Sequence, residues 1–292
     1  MAILIEILIY GSIHSISLAL MALGFALVYG TSRVPNFAHG ALYIINGFIV
    51  WSFLRLLGLN YFISILLALI AIGVIGALMY QFILIRVRGM AISEIIASYA
   101  IGLAILEGLR WGGFKGMTYT LPTFMQGTIF IAGTPVDLHR IVVLISGAVL
   151  VGLLWFFTHY TRTGLALRGV AQDERAALML GIDSDRMAVL AMAFGSMLAG
   201  LAAVLLLQLG NIVVESGYNV LILAIAVCIV GGLGSWMGAV LAAFLIGFAQ
   251  ILTEVYLGTH FKTVVALLAI IITLILRPSG LFGRQKELEE RV

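Results

Sequence analysis

Long apolar runs alternate with short polar joints along nearly the whole chain. A helix needs about 20 mostly apolar residues to cross the hydrocarbon core of a bilayer. Nine stretches meet or approach that length: 8–30, 37–58, 61–85, 92–111, 139–160, 186–208, 218–234, 236–257 and 261–277. The first and second lie close together, as do the seventh and eighth. Either pair can be a broken or re-entrant helix, so the pattern fits eight spans as well as nine. It predicts an all-α, polytopic transmembrane bundle forming a single domain over 1–292. The opening MAILIEILIYGS has no basic leader and no cleavage-site pattern, and is expected to be an uncleaved first span.

The joints differ in character. Residues 161–183, TRTGLALRGVAQDERAALMLGID, form a charge-dense island holding Arg162, Arg168, Asp173, Glu174, Arg175 and Asp183, in a chain only 10% charged. Arg168, Gln172 and Arg175 share one helical face, and Leu167, Ala171 and Leu178 another. The spacing predicts a short amphipathic helix at the membrane surface, with Gly181 where a C-cap belongs. The other reading of the same residues is a solvated loop between two spans. The joint at 112–138 is rich in Gly, Thr and Pro and suits a short hairpin. Pro278 and Gly280 stop the last helix, leaving a charged tail over 278–292.

Composition strengthens the membrane reading. The chain is 63% apolar, with a mean hydropathy of +1.18, against roughly 45–50% apolar in soluble domains. A net charge of +3 does not point to nucleic acid, because the basic residues sit at the ends of apolar stretches. Eleven of them (Arg33, Arg86, Arg88, Arg162, Arg168, Arg175, Arg186, Arg277, Arg284, Lys286, Arg291) fall on one side, and five (Arg55, Arg110, Lys115, Arg140, Lys262) on the other. Basic residues collect in the cytoplasm. The C-terminus and the island are therefore expected inside, and 112–138 outside.

Missing chemistry narrows the function. None of the three lysines follows a glycine, so no GxxxxGK[ST] phosphate-binding loop exists. HExxH, CxxC and GxSxG are absent too, which removes zinc protease, dithiol redox and serine hydrolase readings. The lone Cys228 lies in an apolar run and allows no intrachain disulfide, and no metal site is expected. Glu94 and Glu107, 13 positions apart, point about 220° from each other around a helix. They do not form one site, and no span carries the several acids or histidines of a proton relay.

Two polar or glycine-rich breaks stand out. Pro35-Asn36-Phe37-Ala38-His39-Gly40 places polar atoms beside irregular backbone at the head of the second stretch. Such backbone at membrane depth needs protein or water around it; a plain helix start with Asn36 as N-cap is the other reading. Gly231-Gly232-Leu233-Gly234-Ser235-Trp236-Met237-Gly238 interrupts the C-terminal run. Gly234 and Gly238 form a GxxxG that favours close helix packing, with gating as the functional alternative at Gly232, Gly234 and Gly238. The stretches containing the two breaks echo each other loosely, and shared glycine-rich composition accounts for that better than a repeat.

GSIHSISLALMALGFALVYG–TSRVPNFAHG, the island, GGLGSWMGAVLAAFLIGF and ILRPSGLFG occur in this order. Together they resemble the LivH-type permease subunit of branched-chain amino acid ABC importers, over nearly the whole chain. The resemblance implies a multi-pass permease domain of a bacterial or archaeal inner membrane. Its expected partners are a homologous LivM-type permease, two cytoplasmic ATPases that bind ATP and Mg, a periplasmic or extracellular binding protein, and membrane lipid. No enzymatic role and no cofactor are expected in this chain. The coupling segment maps to Arg162, Thr163, Gly164, Arg168, Ala171, Asp173, Glu174, Ala176, Ala177, Gly181 and Asp183. The translocation path maps to Asn36, Phe37, His39 and Gly40, with Glu94 and Ser98 beside them. Three positions depart from the family pattern: Ala41 and Gln250 stand where members often carry an acid, and Glu94 where none is expected. They bear on the substrate, which in relatives extends to urea, short amides and other small amino acids.

Overall fold

A computed structural model describes residues 2–112 and 119–283. The charges expected at Lys115, Arg284, Lys286 and Arg291, and most of the 278–292 tail, lie outside those residues. Each of the nine apolar stretches is a helix: α1 Ala2–Ser32, α2 His39–Arg55, α3 Tyr61–Phe82, α4 Ala91–Gly112, α5 Leu138–Tyr160, α8 Ser184–Leu206, α9 Glu215–Gly231, α10 Trp236–Leu257 and α11 Lys262–Leu276. The island supplies α6 Arg162–Gln172 and α7 Glu174–Met179. Seven helical segments among the described residues are long and apolar enough to cross a membrane. The two others, α2 and α9, have 17 residues each. Both are largely buried, so neighbouring helices rather than lipid surround them.

The core forms around α1, which packs against α10, α8, α9 and α5. Much of its buried face is small: Ala19, Ala22 and Ala26 cluster with Ala226, Ala239 and Ala243, beside the larger Phe25 and Tyr29, while Leu23 packs with Leu27 and Leu154. Small residues let helix axes approach when lipid supplies no hydrophobic drive. On the rim, α3 exposes Phe62, Leu66, Ile70 and Val74, and α11 exposes Leu268, Ile272 and Ile275. An apolar surface this continuous belongs against lipid or another subunit.

The hairpin expected within 112–138 is present as β1 Thr128–Ile131 and β2 Thr134–Asp137, paired antiparallel with Ile131 opposite Thr134. Ala132 and Gly133 both have positive φ (50° and 86°), as a two-residue type I′ turn requires. Asp137 then caps α5, its carboxylate accepting from the His139 N–H at 2.9 Å.

The island is two helices rather than the single one the spacing predicts. The Asp173 carboxylate accepts from the Ala176 N–H at 3.0 Å and starts a new helix, a side-chain role that favours termini over interiors. Arg175 therefore leaves the face of Arg168 and Gln172. Gly181 does end the second helix, with φ 79° and the Ile182 N–H bonded back to the Ala177 carbonyl at 3.0 Å, a Schellman-type closure.

The two glycines of the GxxxG each allow a close approach, but to different helices. Gly234 lies in the turn between α9 and α10, where its carbonyl oxygen sits 2.9 Å from the place a Cβ on Gly30 would take. Gly238 faces the Gly231 backbone across that turn. Gly232, with φ 101°, receives the segment after α11: the Leu281 and Phe282 N–H groups donate to Val230 and Gly231 carbonyls at 2.9 and 3.0 Å.

Candidate permeation groove and coupling end

The chain breaks between α1 and α2 at residues 33–38. Pro35 supplies no N–H, and the Asn36 side chain replaces a helical bond: its Oδ1 accepts from the Ala38 N–H at 3.0 Å. That is a local turn, and the N-cap position falls to Ala38, which makes no side-chain cap bond. The Asn36 amide donates to the Met192 sulfur at 3.3 Å. His39 Nε2 lies 2.7 Å from the Met21 carbonyl oxygen, and its ring meets Phe25 edge to face at 6.0 Å. Asn36 and His39 are 1% and 0% exposed. In this structure both are buried and brace the break.

Ser98 holds the other side. Its hydroxyl accepts from the Phe37 N–H at 3.2 Å and lies 3.2 Å from the Pro35 carbonyl and 2.9 Å from that of Glu94. The Ile95 carbonyl lies 3.1 Å away as well; a hydroxyl carries one proton, so it serves these three carbonyls alternately while keeping Phe37. Glu94, in the first turn of α4, is buried and accepts from the Gly89 N–H at 2.6 Å. The charge that was unexpected from the family pattern thus closes the α3–α4 joint, at a helix end where an acid is favoured. Glu107 instead pairs with Arg110, which also reaches Glu215.

In front of the break, α2, α4 and α9 leave a shallow groove of about 10 Å³, closed to anything larger than a water in this structure. Phe37, Ala41, Tyr99, Leu106, Tyr218 and Leu221 line it, with Gly102 and Gly217. A Cβ on Gly40 would lie 1.9 Å from the Gly217 carbonyl oxygen, so glycine sets how close α2 and α9 come. Of the expected path residues, Phe37 is the one that reaches the groove. Tyr99, Gly102, Gly217 and Tyr218 were not foreseen. Their only sequence signal is small or aromatic residues inside apolar runs, which packing produces as readily.

The coupling residues gather at the opposite end of this network from the hairpin. The Thr161 hydroxyl caps α6 by accepting from the Gly164 N–H at 3.0 Å. Gly164 lies against α5, where a Cβ would come within 2.0 Å of the Phe157 carbonyl oxygen. Asp173 and Asp183 act as caps, and Asp183 also pairs with Arg186 at 3.0 Å. Ala176 is exposed, but Ala177 is 3% exposed, so it packs inside the chain and does not present a surface to another protein. The outward tip of α7 is Leu178, Met179 and Leu180, at 51%, 90% and 81% exposure. Arg162 is exposed and Thr163 half-buried. Arg168, Ala171 and Gln172 line a cleft of about 300 Å³ with Gly234, Ser235, Trp236 and Phe282. The glycine-rich turn and the coupling segment therefore share one surface.

Arg88 links this end to the groove, a role the sequence did not disclose. Its guanidinium bridges Glu174 on α7 and Asp185 on α8. The next residue, Gly89, holds Glu94, and α4 continues to Ser98 and the break. No group of three or more potential metal ligands occurs among the described residues.

These features define a polytopic helical membrane permease, with a surface tip tied to an interrupted helix pair. The chain belongs to the family described as the permease component of branched-chain amino acid transport systems, whose model matches residues 7–276. It is 30% identical over 284 residues to the high-affinity branched-chain amino acid permease protein LivH of Salmonella typhimurium, covering 91% of each chain. It is likewise 30% identical over 283 residues to BraD of Pseudomonas aeruginosa, again covering 91% of each. A probable LivH of Methanocaldococcus jannaschii is 29% identical, covering 93% of this chain and 90% of that one. Among solved structures, PsaBC from Streptococcus pneumoniae in complex with Fab matches with a TM-score of 0.52 at 15% identity, covering 98% of this chain and 95% of the other, a likeness of fold.

Proposed function

We propose that this chain is the membrane subunit of an ATP-driven importer for branched-chain or similar small aliphatic amino acids, and that it performs no covalent chemistry. The observation that carries the reading is the unbroken set of contacts from α7 through Arg88, Gly89–Glu94 and Ser98 to the backbone break beside the groove. ATP and Mg are bound in two separate cytoplasmic ATPases, which dock on the α6–α7 end. Their closure displaces α7, and Arg88 passes the displacement to α4. Ser98 then shifts the break, and the α2–α9 contact at Gly40 alters the groove. Two such arrangements of packed elements, favoured alternately by the nucleotide state, constitute alternating access.

A homologous LivM-type permease supplies the facing wall of the path. A periplasmic or extracellular binding protein delivers the amino acid at the hairpin end. The groove's aliphatic and aromatic lining has the chemistry for a branched aliphatic side chain, which the about 10 Å³ groove receives only once α2, α4 and α9 move apart; urea or short amides would require more polar groups. The C-terminus lies in the cytoplasm of a bacterium or archaeon. Reconstitution in vesicles with the ATPases tests the reading: labelled leucine should enter only with ATP and all partners. Uptake by the permease pair alone, or failure of the ATPases to copurify, would overturn it.

A further inference from the structure

A cavity of about 660 Å³ opens between α1, α5, α10 and α11, away from the groove and on the hairpin side. That volume falls inside the range of roughly 300–1,000 Å³ usual for small-molecule sites. One wall is aliphatic: Ile13, Leu209, Ile251 and Val255. The rest carries charge, and its charges fall into two kinds.

Glu254 and Lys262 neutralise each other in an ion pair. Gln250, 2% exposed, secures both sides of this wall. Its amide nitrogen donates to the Lys262 carbonyl oxygen at 2.7 Å, which leaves its Oε1 to face His14 Nε2 at 2.8 Å. An amide oxygen only accepts, so His14 donates from Nε2, and in the neutral ring Nδ1 is the acceptor. His14 stands 12 residues beyond the start of α1, about 18 Å along the helix. An ionisable group that deep in a span is costly and marks a functional site by default.

Glu6 and Arg140 are different. Neither forms an ion pair among the described residues, yet both line the cavity. Arg140 is held in place: its guanidinium lies 5.4 Å from the centroid of the Tyr10 ring, and the Tyr10 hydroxyl donates to the Pro135 carbonyl at 2.7 Å. Both side chains are exposed, and among the described residues the cavity presents one cation, stacked on Tyr10, and one anion, neither of them in an ion pair, beside an aliphatic wall.

We propose that this cavity binds a small zwitterion. Its anionic group pairs with Arg140, its ammonium with Glu6, and its apolar part rests on Ile13, Ile251 and Val255. A free aliphatic α-amino acid and the headgroup of an ethanolamine phospholipid share this chemistry. The site is separate from the groove and stands whether or not the coupling scheme holds.

The test uses the full chain in nanodiscs of phosphatidylglycerol, with or without phosphatidylethanolamine. Labelled leucine binding is measured at equilibrium, and retained lipid by native mass spectrometry. Saturable binding of leucine, of phosphatidylethanolamine, or of both is expected. Arg140→Gln and Glu6→Gln should weaken it about tenfold or more, the loss of a charge-assisted hydrogen bond. Val255→Trp should do the same by filling the cavity while leaving the charges. Arg55→Gln, a basic substitution outside the cavity, should leave binding unchanged. Elution volume and thermal midpoint check that each variant is folded. Leucine binding in phosphatidylglycerol alone assigns the free amino acid; retained phosphatidylethanolamine without leucine binding assigns the headgroup. Binding of neither probe, or equal binding in the folded variants, overturns the proposal.

Discussion

Replacing Arg88 with alanine separates coupling from folding. The Arg88 side chain is 26% exposed, and its partners Glu174 and Asp185 are 41% and 50% exposed. Pairs so open to water contribute about 0–1 kcal/mol each. One pair reaches α7 and the other α8; together they contribute at most about 2 kcal/mol, and a loss of 1–2 kcal/mol changes an equilibrium roughly 5–30-fold. Removing the arginine strands no buried charge, because both carboxylates reach solvent. The Gly89–Glu94 bond and the α4–Ser98 contacts remain. Arg88→Ala should therefore insert normally and copurify with its ATPases. What should fall, by roughly 5–30-fold on the same arithmetic, is amino acid transported per ATP hydrolysed in reconstituted vesicles. Arg88→Lys should keep only part of the coupling, since an ammonium lacks the fork that spans two carboxylates. Combining Arg88→Glu with Glu174→Arg should recover some of it, limited by the nearby Asp185. An Arg88→Ala complex with the native transport-to-hydrolysis ratio would refute the reasoning.

Met179→Asp with Leu180→Asp should abolish ATPase copurification while leaving the permease folded; each apolar side chain buried at a contact is worth about 1.5–3 kcal/mol, and retained docking would move the contact elsewhere. Gly40→Val should lower the thermal midpoint, because the side chain collides with the Gly217 carbonyl and overpacking costs about 1–3 kcal/mol; an unchanged midpoint would show that α2 and α9 are not tightly apposed. His39→Leu removes the partner of the Met21 carbonyl, and uptake should drop with the complex still assembled; normal uptake would make the histidine dispensable to the break. Cysteines placed at Met179 and Thr120, with Cys228 replaced, should respectively resist and accept an impermeant thiol reagent in intact cells, and the reverse pattern would invert the orientation.

What the sequence made legible was local. Apolar length alone marks nine helices, since a membrane segment must satisfy its backbone within itself. The two breaks were visible because Pro35 and the run from Gly231 to Gly238 interrupt that length. The island misled in one respect: a face read through 168, 172 and 175 ignores that Asp173 prefers to begin a helix. Ala177, mapped to the coupling segment by the resemblance, is buried within the chain, and burial in a six-residue helix has no periodicity long enough to read. Contacts between distant segments left no such trace. His14 meets Gln250 across 236 positions, and Arg88 meets Glu174 and Asp185 across 86 and 97.

Arg88 shows why one rule hid another. Sidedness fully accounts for its place after an apolar stretch, so its position carries no further signal. Sidedness nevertheless has a consequence for pairing. Arg88–Glu174, Arg88–Asp185 and Arg186–Asp183 all lie at the α6–α7 end. Arg110–Glu107, Arg110–Glu215 and Lys262–Glu254 lie at the other. None of these pairs joins the two ends, because the apolar spans keep the surfaces apart. The topology therefore limits the partners of each basic residue to the acids delivered to its own surface. For Arg88 those acids sit on the charge-dense island, and the tether between island and groove follows from that shortened choice. Arg140 is the counterexample at the hairpin end: the acids there that pair at all pair with Arg110 and Lys262. Among the described residues Arg140 forms no ion pair, which is why its charge serves the ligand proposed above.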